Sequence, residues 1–274
     1  MTSPTPHDRA VAESLLAFWA EAGVDAMLLD APLDRIEAGR IAPPTPIRPL
    51  TAKPEAQPKK GPAGPDITAA LADARRLAAE AQDLEALAAA IAGFDGCGIK
   101  FEGAASRSVF YRGATDAPLM VVGEGPGADE DAQGAPFVGR AGQLLDRMLG
   151  AAGLKEREFI TNTVFWRPPG NRTPTPAEQM VCAPFVERAA ALVQPKMMLF
   201  LGAAAAKAML KRDEGILSLR GRWFEWRSQD GTMDLPAMPT LHPAFLLRQP
   251  AAKKKAWSDL LTLTERLDRP ERGH

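Results

Sequence analysis

The chain has 274 residues, 46% of them hydrophobic and 24% charged, with 33 Lys and Arg against 34 Asp and Glu for a net charge of −1. That balance is ordinary for a globular protein; it excludes a uniformly basic nucleic-acid coat and an acidic tail protein, and the length suits one large domain or two small ones. The two cysteines, Cys97 and Cys182, exclude a disulfide scaffold and a metal site made of four cysteines.

The opening from Met1 to Asp8 lacks the basic start and apolar core of a secretory signal, and no run reaches the roughly 18–20 apolar residues of a membrane span. A cytoplasmic protein with reduced thiols and no membrane partner is expected. In residues 7–23, Val11, Leu15, Leu16, Phe18 and Trp19 fall on roughly one stripe, so 1–41 reads as an N-terminal helical segment. Residues 42–66 are dense in proline, which forbids helix and central strand and predicts a semi-extended linker. Lys53, Lys59 and Lys60 within it could graze phosphates, but a plain tether is the simpler reading. The Ala-rich stretch 67–92, with Leu71, Leu77, Leu84 and Leu87, predicts a helix opening after Asp66 and closing before Gly93. It forms a lead-in (67–93) to a domain spanning 67–274.

From residue 94 strands and helices alternate. Apolar runs at 118–123, 159–165, 197–202 and 237–242 predict strands, and the patterns at 140–152, 176–193, 203–212 and 253–266 predict helices. This alternation implies an α/β fold: three layers, α/β/α, around a central, mainly parallel four-stranded sheet, with the N-terminal helical extension added. Ligands in such folds sit at the carboxyl ends of the strands.

Three segments carry chemistry there. Gly123-Glu-Gly-Pro-Gly127 follows the first strand, where glycines let backbone approach a ligand, but Pro126 and the acidic Asp129-Glu130-Asp131 argue against a dinucleotide loop. Phe137, framed by Pro136 and Gly139, is either a loop anchor in the core or a stacking platform for a planar ring. Asn162 in the second strand is either a structural amide or a paired donor and acceptor for a pyrimidine edge. Arg167 and Arg172, in the Pro-stiffened loop after it, suit phosphate contact or plain solvation. His242 precedes Pro243 and a run of Leu246, Leu247 and Arg248, with Lys253 to Lys255 beyond: a polar tip beside an apolar wedge and cations, as needed to push into stacked bases. The chain from Lys196 onward is richer in Lys and Arg than in Asp and Glu, which a DNA partner would favour.

Taken in order, GEGPGADEDAQGAPFVGRAGQLLDRML (123–149), TNTVFWRPPGNRTPTPAE (161–178), PKMMLFLGAAA (195–205) and LHPAFLLR (241–248) resemble the uracil-DNA glycosylase superfamily, most closely family 4. The resemblance implies a role for each matched residue. Glu124, Gly125, Pro126 and Gly127 line a uracil pocket, Phe137 stacks on the base, Asn162 reads its edge and His242 contacts the O2 region. Glu130 would either exclude thymine or place water. Asn171 is a second-motif asparagine of less certain role, and Leu246, Leu247 and Arg248 form the inserting loop. His242, Glu124, Glu130 and Asn162 are thus the candidate catalytic residues, with Arg167, Arg172, Arg248 and Lys253 on DNA.

One departure stands out. The family holds a [4Fe–4S] cluster on four cysteines, but the matching positions here read Phe94, Cys97, Trp166 and Cys182. Two thiolates are too few, so no cluster and no metal are expected, with Phe94 and Trp166 filling the vacated volume. The implied function is a monofunctional uracil-DNA glycosylase acting on single- or double-stranded DNA as a monomer, releasing free uracil and leaving an abasic site. The alternative is a protein of the same fold that binds uracil-containing or abasic DNA with little turnover.

Overall fold

A computed structural model describes residues 67–269; the stripe at 7–23, the Pro-rich segment and the Asp66 cap lie outside them. The lead-in forms two helices where one is expected, α1 (Ile67–Glu80) and α2 (Leu84–Gly93). The reason is local: Asp83 takes an extended backbone and its Oδ1 accepts the Ala86 N–H at 2.7 Å, which starts a new helix. α1 buries Ala70, Ala74 and Ala78, spaced four apart on one face.

Six strands form one sheet: β1 (Arg112–Gly113), β2 (Leu119–Gly123), β3 (Glu158–Asn162), β4 (Met197–Leu201), β5 (Phe224–Arg227) and β6 (Asp234–Thr240), in the order β1-β3-β2-β4-β6-β5. The central four are parallel and are the strands expected from sequence. β1 and β5 are antiparallel edge additions. Helices connect them: α3 (Ala128–Gln133) and α4 (Arg140–Ala151) after β2, α5 (Pro176–Val193) after β3, α6 (Gly202–Leu210) and α7 (Ile216–Leu219) after β4, and α8 (Pro243–Arg248) and α9 (Lys253–Leu267) after β6. α5 begins at a capping box in which Thr175 Oγ1 accepts the Glu178 N–H and Glu178 accepts that of Thr175.

β2, β3 and β4 are buried at every position, as parallel strands covered on both faces must be. Their side chains alternate between two cores. Met120, Val122, Phe159, Met198 and Phe200 pack with α1, α2 and α5, and Leu119, Val121, Ile160 and Leu199 pack with Leu145, Leu149, Leu260 and Leu263 of α4 and α9. β2 connects to β3 on one side and β4 lies on its other side, so the loops after β2 and β4 diverge and leave a crevice at the carboxyl ends. Among the described residues, no helix is long and apolar enough to cross a membrane.

Candidate active site

A cavity of about 640 Å³ opens at that end of the sheet, lined by Glu124, Gly125, Pro126, Gly127 and Glu130, by Phe137 and Asn162, by Asn171 and Arg172, and by His242 and Arg248. The ends of β2 and β3 meet at its floor. Gly123 is the last residue of β2 and pairs in register with Asn162, the last of β3. A Cβ on Gly123 would lie 2.5 Å from both Asn162 Oδ1 and the Phe137 ring, so only glycine admits both side chains. Asn162 is 1% exposed, and its Oδ1 is buried without a hydrogen-bond partner.

Phe137 is buried against this amide and has φ 56°, a left-handed backbone that costs a non-glycine residue about 1–2 kcal/mol. The loop is held there from outside. Arg112 Nε donates to the Pro136 carbonyl at 2.8 Å, its Nη2 donates to the Phe137 carbonyl at 3.3 Å, and the same guanidinium pairs with Asp146. Gly142, in the first turn of α4, admits the Phe137 carbonyl into space that a Cβ would occupy. Arg112, Gly142 and the cavity-lining Arg140 are site residues that reading the sequence did not find. The Gly-Arg-Ala-Gly at 139–142, just after the aromatic, is the signal that could have found two of them.

Glu130 is engaged on both oxygens: Oε2 accepts the Gly127 N–H at 3.1 Å and Oε1 the Gly139 N–H at 3.0 Å. The carboxylate therefore ties the first motif to the loop carrying Phe137. Thr163 Oγ1 donates to the Glu124 carbonyl at 2.6 Å, which fixes the same motif from the β3 side.

His242 caps α8. Its Nδ1 accepts the Ala244 N–H at 3.1 Å, leaving Nε2 to carry the ring proton, and its ring centroid lies 5.7 Å from that of Phe137. Burial, with the nearby Arg248 charge, lowers its pKa to about 4, so the imidazole is neutral at ordinary pH. The end of β6 that positions it is anchored by Thr240 Oγ1, which donates to Asp259 at 2.6 Å, and Asp259 pairs in turn with Arg220.

The inserting loop departs from expectation. Pro243 at the first helical position makes 243–248 a helix, and that turn buries Leu246 completely against Leu144, Leu241 and Ala256. Leu246 is a core residue, leaving Leu247 half-buried and Arg248 exposed at the surface. Arg172 is also occupied, by Glu178 at 2.7 Å and Glu102 at 2.9 Å, and Arg167 Nε donates to Asn171 Oδ1 at 2.9 Å. Arg167, Leu247 and Lys253 lie outside the cavity lining.

A family model described as the uracil DNA glycosylase superfamily matches residues 110–261. The chain belongs to that superfamily. It is 39% identical over 147 residues to a type-4 uracil-DNA glycosylase of Pyrobaculum aerophilum, covering 52% of this chain and 74% of that one. It is also 39% identical over 142 residues to a type-4 uracil-DNA glycosylase of Thermotoga maritima, covering 51% and 71%. A DNA polymerase of Bacillus phage SP01 matches at 26% over 159 residues, 57% of this chain but 16% of the polymerase.

Within this superfamily the resemblance to family 4 raises the question of an iron–sulfur cluster, and the residues at its expected place do not fit one. Cys97 and Cys182 are both free and fully buried, and burial holds the Cys182 thiol well above its ordinary pKa. The other two positions carry Phe94 and Trp166, 1% and 2% exposed, with ring centroids 6.4 Å apart. Phe185 lies edge-on to Phe94 at 5.1 Å and Phe165 edge-on to Trp166 at 6.2 Å. At the four positions stand two buried cysteines and two large aromatic rings, Phe94 and Trp166, packed as an aromatic plug.

Proposed function

We propose that the chain hydrolyses the N-glycosidic bond between uracil and deoxyribose in DNA, on a nucleotide turned out of its stack, and leaves an abasic site for base-excision repair. The observation that carries this reading is the orphaned Asn162 Oδ1 in the cavity floor. A buried acceptor without a partner costs about 1–3 kcal/mol, a cost that a ligand donor removes. Uracil offers an N3–H donor beside an O4 acceptor, which one carboxamide meets with Oδ1 and Nδ2. Cytosine offers the reverse pattern and would leave the buried amide unpaired.

Phe137 gives the base its stacking surface. As the C1′–N1 bond breaks, its electron pair passes to the base, negative charge gathers on O2, and the sugar becomes cation-like. The neutral His242 ring donates through Nε2–H to O2, a preorganised interaction that strengthens as the charge develops. In the first motif Pro126 has no N–H and that of Gly127 is engaged by Glu130, so the backbone donors left for the base are those of Glu124 and Gly125. Glu124, half-exposed on the wall, is the carboxylate that faces the sugar cation. Water adds its oxygen to C1′ and gives a proton to solvent, and uracil leaves after taking one up. No lysine lines the cavity among the described residues, in keeping with a monofunctional reaction with no amine nucleophile.

In this reading Glu130 acts by positioning the two loops, Leu247 fills the gap in the duplex, and Arg248, Lys253 and Arg167 hold phosphates. Arg172 and Asn171 brace the loop after β3. The enzyme works as a monomer and without a cluster, the aromatic plug supplying the apolar stabilisation in its place. Iron analysis and visible absorbance of anaerobically purified protein test that part; stoichiometric iron would overturn it.

The experiment for activity is a uracil-containing oligonucleotide, treated with the protein and then with alkali. Strand cleavage that needs both, and that is lost in Asn162→Ala and His242→Ala, is expected. A retarded but alkali-resistant strand would overturn the enzyme in favour of a binding protein.

A further inference from the structure

A second feature lies along the outside of α4 and α9. Trp257 is 38% exposed and Leu261, one turn on, 48% exposed. Trp257 closes one side of a trough of about 370 Å³ whose other walls are Arg147, Met148 and Ala151 of α4 and Lys253 and Lys254 of α9. The Trp257 ring thus lies at the surface beside three cationic side chains. Among the described residues, neither Arg147 nor Lys253 nor Lys254 has an acidic partner. These side chains combine an aromatic plane with point charges of one sign, the pairing that binds unpaired nucleic acid without reading its sequence.

Helix α4 links the trough to the cavity. α4 runs from Arg140, in the cavity lining, to Arg147 and Ala151 in the trough. At 1.5 Å per residue those spacings are about 10 and 16 Å, which a strand at 3.4 Å per nucleotide crosses in roughly three to five nucleotides. On the other side, Arg248 of the cavity lies five residues before Lys253.

We propose that this trough is a single-stranded DNA ledge: Trp257 stacks an unpaired base a few nucleotides from the one held in the cavity, and Arg147, Lys253 and Lys254 take its flanking phosphates. The inference deepens the proposed function by naming its substrate class, uracil in single-stranded or frayed DNA, and it rests on that function for the identity of the base in the cavity. The ledge itself needs no uracil.

The test therefore reads binding apart from excision. A uracil-free single-stranded oligonucleotide is titrated into the full chain, with tryptophan emission and anisotropy as readouts. Trp257→Ala weakens binding by about 5- to 100-fold, a loss at least five-fold larger than for a blunt duplex of the same sequence. Trp257→Phe keeps most of the affinity but loses the quenching of emission, and Arg147→Gln lowers the slope of log affinity against log salt by about one. Equal losses on both DNAs, or none, would overturn the ledge. So would a wild-type dimer, seen by light scattering, that Trp257→Ala dissolves, because the trough would then be covered by a second copy. If the oligonucleotide binds through Trp257 but uracil is not excised, the ledge stands and the glycosylase reading fails.

Discussion

Two regions of the same domain handle buried polarity in opposite ways. At the carboxyl ends of β2 and β3, the chain buries an amide acceptor without a partner, holds an aromatic residue at positive φ and gives up side chains at Gly123 and Gly142 to do so. Around Cys97 and Cys182, the aromatic rings of Phe94, Trp166 and Phe185 pack with two buried thiols in one apolar cluster. The first region accepts a stability cost that a ligand can remove. The second buries its sulfurs among packed aromatic rings. Mutations should accordingly separate: loss of a ring from the aromatic plug acts on folding, and loss of the pocket's orphaned amide acts on chemistry.

The largest effect belongs to the aromatic plug. Trp166→Ala removes a fully buried indole and should destabilise the fold by about 3–5 kcal/mol, read by denaturant titration. A loss under 1 kcal/mol would mean that these rings are loosely held and do not stand in for a cluster. Asn162→Ala should leave stability within about 1 kcal/mol of wild type, since it removes an orphaned acceptor, while lowering the excision rate by about 10²- to 10³-fold. Parallel losses in rate and melting temperature would erase the contrast between the regions. Gly142→Ala tests the strained loop: the added methyl would overlap the Phe137 carbonyl and should cost about 1–3 kcal/mol, with a rate loss that Gly150→Ala, where a Cβ meets nothing, does not share.

The smallest effect is the dependence on pH. With a folded-state value of about 4 against an ordinary 6.5, the unfolded chain takes up the His242 proton first as the pH falls. His242 therefore has no effect on stability above pH 6.5, erodes it between 6.5 and about 4, and adds no further penalty below that. Its NMR titration should show a midpoint near 4, and a midpoint near 6.5 would mean that the ring is charged when it should be a neutral donor.

Much of this arrangement was legible in the chain. The four parallel strands announce themselves as short apolar runs, and α5 begins where Thr175, Pro176 and Glu178 spell a cap. The edge strands were not visible, because β1 is only Arg112–Gly113 and β5 is a four-residue strand recruited by pairing with β6 rather than by its own hydrophobicity. The alanine-rich composition on both sides hides the break at Asp83. Asn162, Phe137 and His242 could be picked out from sequence, and the structure brings them to one cavity. What sequence could not tell was direction: which of Leu246 and Leu247 faces inward depends on the helix that His242 and Pro243 start, and the engagement of Glu130 depends on a loop nine residues away.

The most direct measurement is single-turnover release of free base by the wild-type protein from two oligonucleotides that differ only in carrying uracil or cytosine at one position. Uracil release should exceed cytosine release by at least about 10⁴-fold, because the Asn162 carboxamide pairs with one edge and is left unpaired by the other. Release of both bases at similar rates, or tight binding of the uracil strand with no base released, would contradict that role for Asn162 and the excision reaction built on it.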